Sequence, residues 1–150
     1  MQRYTFSILF GLILIFFDGC TKESSGISNY TSIVGTWELQ QQQGGMIPAI
    51  EYSQGNGNIS KFSTSTYEKY TNNNLVRSGQ YIIIEDTSVG AEVGLVIPPG
   101  QFTHRIVYDN DFTSAKTFIQ ISNNKLTTLS GYFPLDGGSN VVYRKIESIR

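Results

Sequence analysis

The chain has 150 residues, with 11 Lys and Arg against 12 Asp and Glu, for a net charge of −1. So few and scattered charges exclude the basic stripe of a nucleic-acid binder and the polybasic patch of a peripheral membrane protein. Gly, Asn, Ser, Thr and Tyr are plentiful, which favours strands and turns over helices.

In chain order, the first element is an apolar segment. Arg3 gives a basic start, residues 6–17 carry no charge, and Gly19 precedes Cys20, the only cysteine. The apolar run suits a secretory signal and falls short of the roughly 20 residues that a spanning helix needs. Residues 1–20 resemble a bacterial lipoprotein signal with its lipobox. Asp18 and Phe17, at the two and three positions before the cysteine, match the looser form seen in envelope lipoproteins of the Bacteroidota type. The resemblance implies cleavage before Cys20, lipidation of Cys20, and anchorage in a cell-envelope membrane, the outer membrane by expectation, with the periplasmic or surface face left open. Two or three acyl chains hold firmly where one holds marginally. Other readings of the same residues are an uncleaved anchor, or an ordinary signal that leaves a free thiol. An acylated Cys20 leaves no thiol for a disulfide, a nucleophile or a metal.

Residues 21–32 (TKESSGISNYTS) show no apolar periodicity and read as a tether reaching at most roughly 40 Å. The domain proper is expected over residues 33–150. Short alternating segments follow one another there, separated by turn clusters, with no amphipathic helix evident. Residues 33–41 place Gly35, Trp37 and Leu39 on one face and Thr36, Glu38 and Gln40 on the other. Residues 44–57 form a loop with an apolar middle at Met46–Ile50. Residues 58–62 and 66–70 read as a hairpin, and Asn72-Asn73-Asn74 as a turn. Residues 77–85 form a strand around Tyr81-Ile82-Ile83-Ile84, apolar on both faces and expected to be covered on both. Residues 86–100 are a second long loop, with a short strand at 92–97 ended by Pro98-Pro99. Residues 102–109 alternate, with Phe102, His104, Ile106 and Tyr108 on one face. Strands at 116–122, 125–130 and 140–147 complete the series. About eight sequential strands without intervening helices predict an all-β, antiparallel up-and-down barrel.

The order of short motifs adds to this. Gly35-Thr36-Trp37 opens the first strand as the G-x-W motif does in lipocalins. Phe62, Ser65-Thr66-Tyr67 and Gly79-Gln80-Tyr81 follow, and Val142-Tyr143-Arg144-Lys145 closes the series. Residues 33–147 thus resemble bacterial lipocalin-like lipoproteins. The resemblance implies a barrel with one closed end and one open mouth, Trp37 at the closed end, and Arg144 packed across its ring. A cation on an indole face is worth roughly 0.5–2 kcal/mol.

Chemistry is sparse. His104 is the only histidine, so neither a catalytic triad nor a zinc site is suggested, and no cofactor is implied. Asp109-Asn110-Asp111 reads as a turn rather than a calcium loop. Glu68, Glu85 and Asp86 are carboxylates that nothing in the sequence places together. The expected function is a non-enzymatic binding module for a small, partly apolar ligand. Its expected lining is Trp37, Leu39, Phe62, Tyr81, Ile83, Phe102, His104, Ile106 and Tyr108, with His104 available to a head group and the loops 44–57 and 86–100 over the mouth. The alternative is a structural or protein-interaction accessory lipoprotein with a filled barrel. A lipid-anchored Cys20 predicts that intact-mass analysis of membrane-extracted protein finds an acylated N-terminal cysteine. It also predicts that Cys20→Ala moves the protein out of the membrane fraction; an unprocessed Met1 would contradict both expectations.

Overall fold

The computed structural model of the protein describes residues 32–146. The expected signal, Cys20 and nearly all of the tether lie outside the described residues. Among the described residues nine strands form one antiparallel sheet: β1 (Gly35–Gly44), β2 (Ile50–Glu51), β3 (Ile59–Phe62), β4 (Thr66–Thr71), β5 (Asn74–Glu85), β6 (His104–Tyr108), β7 (Thr117–Ser122), β8 (Lys125–Ser130) and β9 (Ser139–Ile146). From β3 onward each strand pairs with the next in the chain, and β9 pairs back onto β1 from Thr36↔Ile146 to Gly44↔Ser139. Eight strands therefore close into an up-and-down barrel, the expected lipocalin-like architecture. Closure leaves no long free edge for another chain to pair with. The short β2 adds to β1 at Gln41 and Gln42, above the stretch that β3 occupies.

Turn chemistry sets the register. Asn72 and Asn73 join β4 to β5, and Asn123 and Asn124 join β7 to β8, all four with positive φ. Two-residue hairpin turns need that conformation at both positions, and asparagine tolerates it better than other residues with a side chain. Period-two alternation then divides the side chains between two faces. Ile33, Trp37, Phe62, Tyr67, Tyr81, Ile106, Ile119 and Leu126 form the inner core. Ile33 lies on Trp37, which is fully buried, and the indole N–H donates to the Ile33 carbonyl at 2.7 Å. Phe62 and Tyr81 meet edge to face, with centroids 5.3 Å apart.

A second core lies outside the barrel wall. Phe118 on β7 and Leu129 on β8 alternate outward, and the segment after β5 covers them with Val89, Val93 and Phe102. This segment contains a five-residue helix, α1 (Val89–Val93), where a short strand at 92–97 was expected. Gly94 ends it in the left-handed region, and a Cβ there would strike Pro134 and Tyr132. Asp86 pins the segment: its carboxylate takes the Ser88 amide and hydroxyl, and lies 3.2 Å from Arg105 and 3.1 Å from Lys116. The strand covered on both faces is thus β7, through Phe118 and Ile119, rather than β5, whose Ile82 is exposed.

The seam between β1 and β9 corrects another expectation. Register places Lys145 opposite Trp37 and Arg144 opposite Glu38. Alternation therefore puts Lys145 on the Trp37 face, with its ammonium 5.4 Å from the indole, and sends Arg144 to the other face. There Arg144 meets Glu38, Nε to Oε2 at 3.4 Å, in an ion pair without hydrogen-bond alignment. Glu38, on the face opposite Trp37, is buried because the loop between β2 and β3 folds over it. Its Oε1 accepts the Gly55 N–H at 2.8 Å, and Arg144 donates to the Tyr52 carbonyl at 2.7 Å. Removing one partner of a buried pair strands the other charge. Arg144→Ala should lower stability by about 2–3 kcal/mol, short of the full cost of breaking a buried pair because part of Arg144 stays in water. The Glu38→Gln/Arg144→Ala double variant should recover part of that loss in chemical denaturation, and Trp37 emission should stay blue-shifted throughout. A loss that appears with a red-shifted Trp37 would instead tie Arg144 to the indole.

Candidate functional site

Polar groups gather inside the barrel around β4. Its alternation turns Tyr67 and Lys69 inward, opposite Phe62 and Ser60 of β3, before a register irregularity at Tyr70. On the other side Lys69 faces Arg77 of β5. The Lys69 ammonium stands 4.3 Å from the centroid of Tyr108 and 5.9 Å from that of Tyr67. The two rings meet edge to face at 4.7 Å.

Asp109 orders this group. Its Oδ2 accepts from the Tyr67 hydroxyl and from Arg77, each at 2.8 Å, and its Oδ1 accepts the Gln80 N–H at 3.0 Å. Positive φ at Asp109 and Asn110 forms the turn after β6, and the Asp109 N–H donates to the Gln80 carbonyl of β5. Gly79 makes room, since a Cβ there would run into the Asp109 carboxylate. The Arg77 and Tyr67 hydrogen bonds hold the Asp109 carboxyl below its ordinary pKa. Burial, and then the bond to Asp109, raise the Tyr67 phenol. Burial pushes Tyr108 far above the ordinary phenol range, and raises Tyr143 despite its bond to Ser60. Burial lowers Lys69, and the neighbouring Arg77 charge lowers it further, with Asp109 opposing.

Three cavities meet at Lys69. One of about 170 Å³ lies in the barrel interior, bounded by Ile33, Phe62, Ile119 and Leu126 toward the core and by Ser60, Thr128, Ser130 and Tyr143 elsewhere. A second, of about 320 Å³, lies under Tyr52 and shares Ser60, Lys69 and Tyr143 with the first. A third, of about 220 Å³, opens on the flank beside the β6–β7 loop and shares Lys69, Tyr108 and Thr117 with the first.

The residues singled out from the sequence fall into three groups. Trp37, Phe62, Tyr81 and Ile106 are in the inner core, with Ile83 and Tyr108 packed against it. Leu39 lines the cavity under Tyr52. Phe102 does not line the interior: its φ of 51° breaks the alternation two residues before β6, and its ring joins the outer core. His104 opens β6 opposite Glu85 and Ile119, with Nδ1 2.9 Å from the Thr103 hydroxyl, and lines none of the three cavities. Nor do the loops cover the mouth as expected. Residues 86–103 lie on the outer wall, and of 44–57 only Tyr52 reaches a cavity that Lys69 lines.

Lys69, Arg77, Tyr143 and Asp109 were not picked out by sequence reasoning. The only signal was the alternation of Tyr67-Glu68-Lys69-Tyr70, which offers a tyrosine and a charge to either face. Glu68, Glu85 and Asp86 do not converge: Glu68 accepts from Tyr70, Glu85 pairs with His104 across the sheet, and Asp86 is in the outer ion cluster. Among the described residues, no group of three or more His, Cys, Asp or Glu is placed to hold a metal, and no helix is long and apolar enough to cross a membrane. No family model, curated protein or solved structure matches the chain.

The Asp109 hub yields a pH prediction. A carboxylate whose pKa falls on folding stabilises the fold above its unfolded value, here 3.8, and that contribution is lost as pH drops through the lower folded value. Asp109→Asn keeps the positive φ tolerable and removes the charge together with one of the two acceptor oxygens. The variant should melt earlier than wild type near pH 7, with the charge-dependent part of the difference closing as the pH falls below 3.8 and through the lower folded value. A difference that does not change with pH would show that the charge of Asp109 is not what matters.

Proposed function

We propose that this protein is a non-enzymatic, lipocalin-like binding module for a small, partly apolar ligand, carried on the cell-envelope membrane by a lipid at Cys20. The observation that carries the reading is the interior cavity of about 170 Å³, which joins two openings at Lys69 and has both apolar and hydroxyl walls. Ligand sites combine apolar walls with a few placed polar groups. An apolar cavity of about 150 Å³ is enough to take a benzene ring. Ring-sized molecules are therefore the fitting class, rather than long acyl chains or macrocycles. The lipid anchor rests on the resemblance of residues 1–20 to a lipoprotein signal, and the family assignment on the motif order and the eight-strand up-and-down barrel.

A second reading has its own support. Met46 is 87% exposed, and Ile47, Ile50 and Leu135 are exposed as well. The loops that carry Met46 and Leu135 are joined by the Gly45 N–H to Gly138 and the Met46 N–H to Asp136. Exposed apolar residues in adjoining loops suit a protein-interaction accessory role.

Thr128 projects into the interior cavity from β8, so Thr128→Phe should fill it. Calorimetry with benzyl alcohol and benzoate should show saturable binding to wild type and none to Thr128→Phe, with the strand signal in circular dichroism unchanged. Absence of binding to wild type would leave the accessory reading in place.

A further inference from the structure

We propose that the ammonium of Lys69 and the hydroxyl of Tyr108 receive the anionic head of a small monocarboxylate, whose apolar body occupies the interior cavity. The inference rests on the binding-module reading and specifies the ligand class.

The first argument is charge. Lys69, Arg77, Arg105 and Lys116 line the cavities that meet at this point. Arg77 is answered by Asp109, Arg105 by Asp86, and Lys116 by Asp86 and Glu92. Asp111, the one carboxylate in the flank lining, is engaged by Thr113 and Ser114 of its own turn. Among the described residues, no carboxylate lies within ion-pair distance of Lys69; its ammonium rests on the faces of Tyr108 and Tyr67, and the Asp109 charge acts on it only from beyond that distance. A half-buried cation with no carboxylate in contact carries part of its desolvation cost uncompensated, and an anion that reaches it relieves that cost. One unanswered positive charge matches a monoanion.

The second argument is hydrogen bonding. The Tyr67 hydroxyl is committed to Asp109 and the Tyr81 hydroxyl to the Ser63 carbonyl. The Tyr108 hydroxyl makes no hydrogen bond to any described residue, although Tyr108 lines the interior and flank cavities beside Lys69. Its strongly raised pKa keeps it protonated and therefore a donor. An ammonium and a hydroxyl carried by neighbouring residues that line the same two cavities suit the two oxygens of a carboxylate, and charge-assisted bonds of this kind are the strong ones.

The third argument is size. Beyond Lys69 the cavity ends on Phe62, Ile119 and Leu126, so its volume of about 170 Å³ accommodates a ring-sized body rather than a long chain.

Calorimetry with benzoate and benzyl alcohol, which share the ring and differ in charge, tests this. Wild type should bind benzoate at least about tenfold more tightly, a difference of about 1.4 kcal/mol. Lys69→Met should abolish the preference while keeping benzyl alcohol binding, and Lys69→Arg should retain it. Amide chemical-shift changes on adding benzoate to the wild type should centre on Lys69 and Tyr108, a readout that does not depend on any variant folding. Equal binding of both probes, or a preference that survives Lys69→Met, overturns the inference and leaves the binding-module reading standing. If neither probe binds wild type, both fail.

Discussion

The Asp109 carboxylate is the constraint on which the interior depends. It ties together three strands: Tyr67 of β4, Arg77 and Gln80 of β5, and its own position at the end of β6. Each tie has a consequence inside the barrel. Holding the Tyr67 hydroxyl fixes that ring edge to face with Tyr108, and the pair forms the aromatic wall beside Lys69. Answering Arg77 removes what would otherwise be a second bare cation next to Lys69. The geometry in turn requires Gly79, because any side chain there would displace the carboxylate. A short charged turn thus answers Arg77 and leaves Lys69 beside it without an ion pair among the described residues.

The barrel is stabilised by using both faces of its wall. A cylinder of eight strands has an interior only wide enough for its own side chains or one small ligand. Trp37, Phe62, Tyr81 and Ile119 fill one part of the interior, which leaves the space near Lys69 less fully packed. The outer core on β7 and β8 and the buried Glu38–Arg144 pair at the seam place further packing outside the barrel. A loop is recruited to cover each: residues 86–103 over Phe118, and residues 52–56 over Glu38. That use of the loops explains why neither closes the barrel as a lid.

Strand order and turns were legible in the sequence because they depend on local signals. Alternation and Asn-rich turns located every barrel strand within a few residues, and β8 at Lys125–Ser130 was read without error. What failed depends on partners distant in the chain. Helix α1 is too short to show a helical period, and exists because Val89 and Val93 find Phe118 and Leu129. Phe102 looked like the next step of a clean alternation, yet a positive φ takes it out of the pattern. Arg144 and Lys145 are adjacent cations, and only the register against β1 decides which one meets Trp37. The site was hidden for the same reason. The only histidine drew the reading toward His104, whereas the unpaired cation is an ordinary-looking lysine in a strand with a tyrosine on either face. Its significance appears only once every carboxylate around it has been assigned.

The most direct measurement is a crystal structure of the protein soaked with para-bromobenzoate, using the anomalous signal of bromine to locate the ring. The account predicts one internal bromine peak among Phe62, Ile119 and Leu126, with the carboxylate at the Lys69 ammonium and the Tyr108 hydroxyl. Bromine found only on the outer surface, or inside with the carboxylate turned away from Lys69, would contradict it.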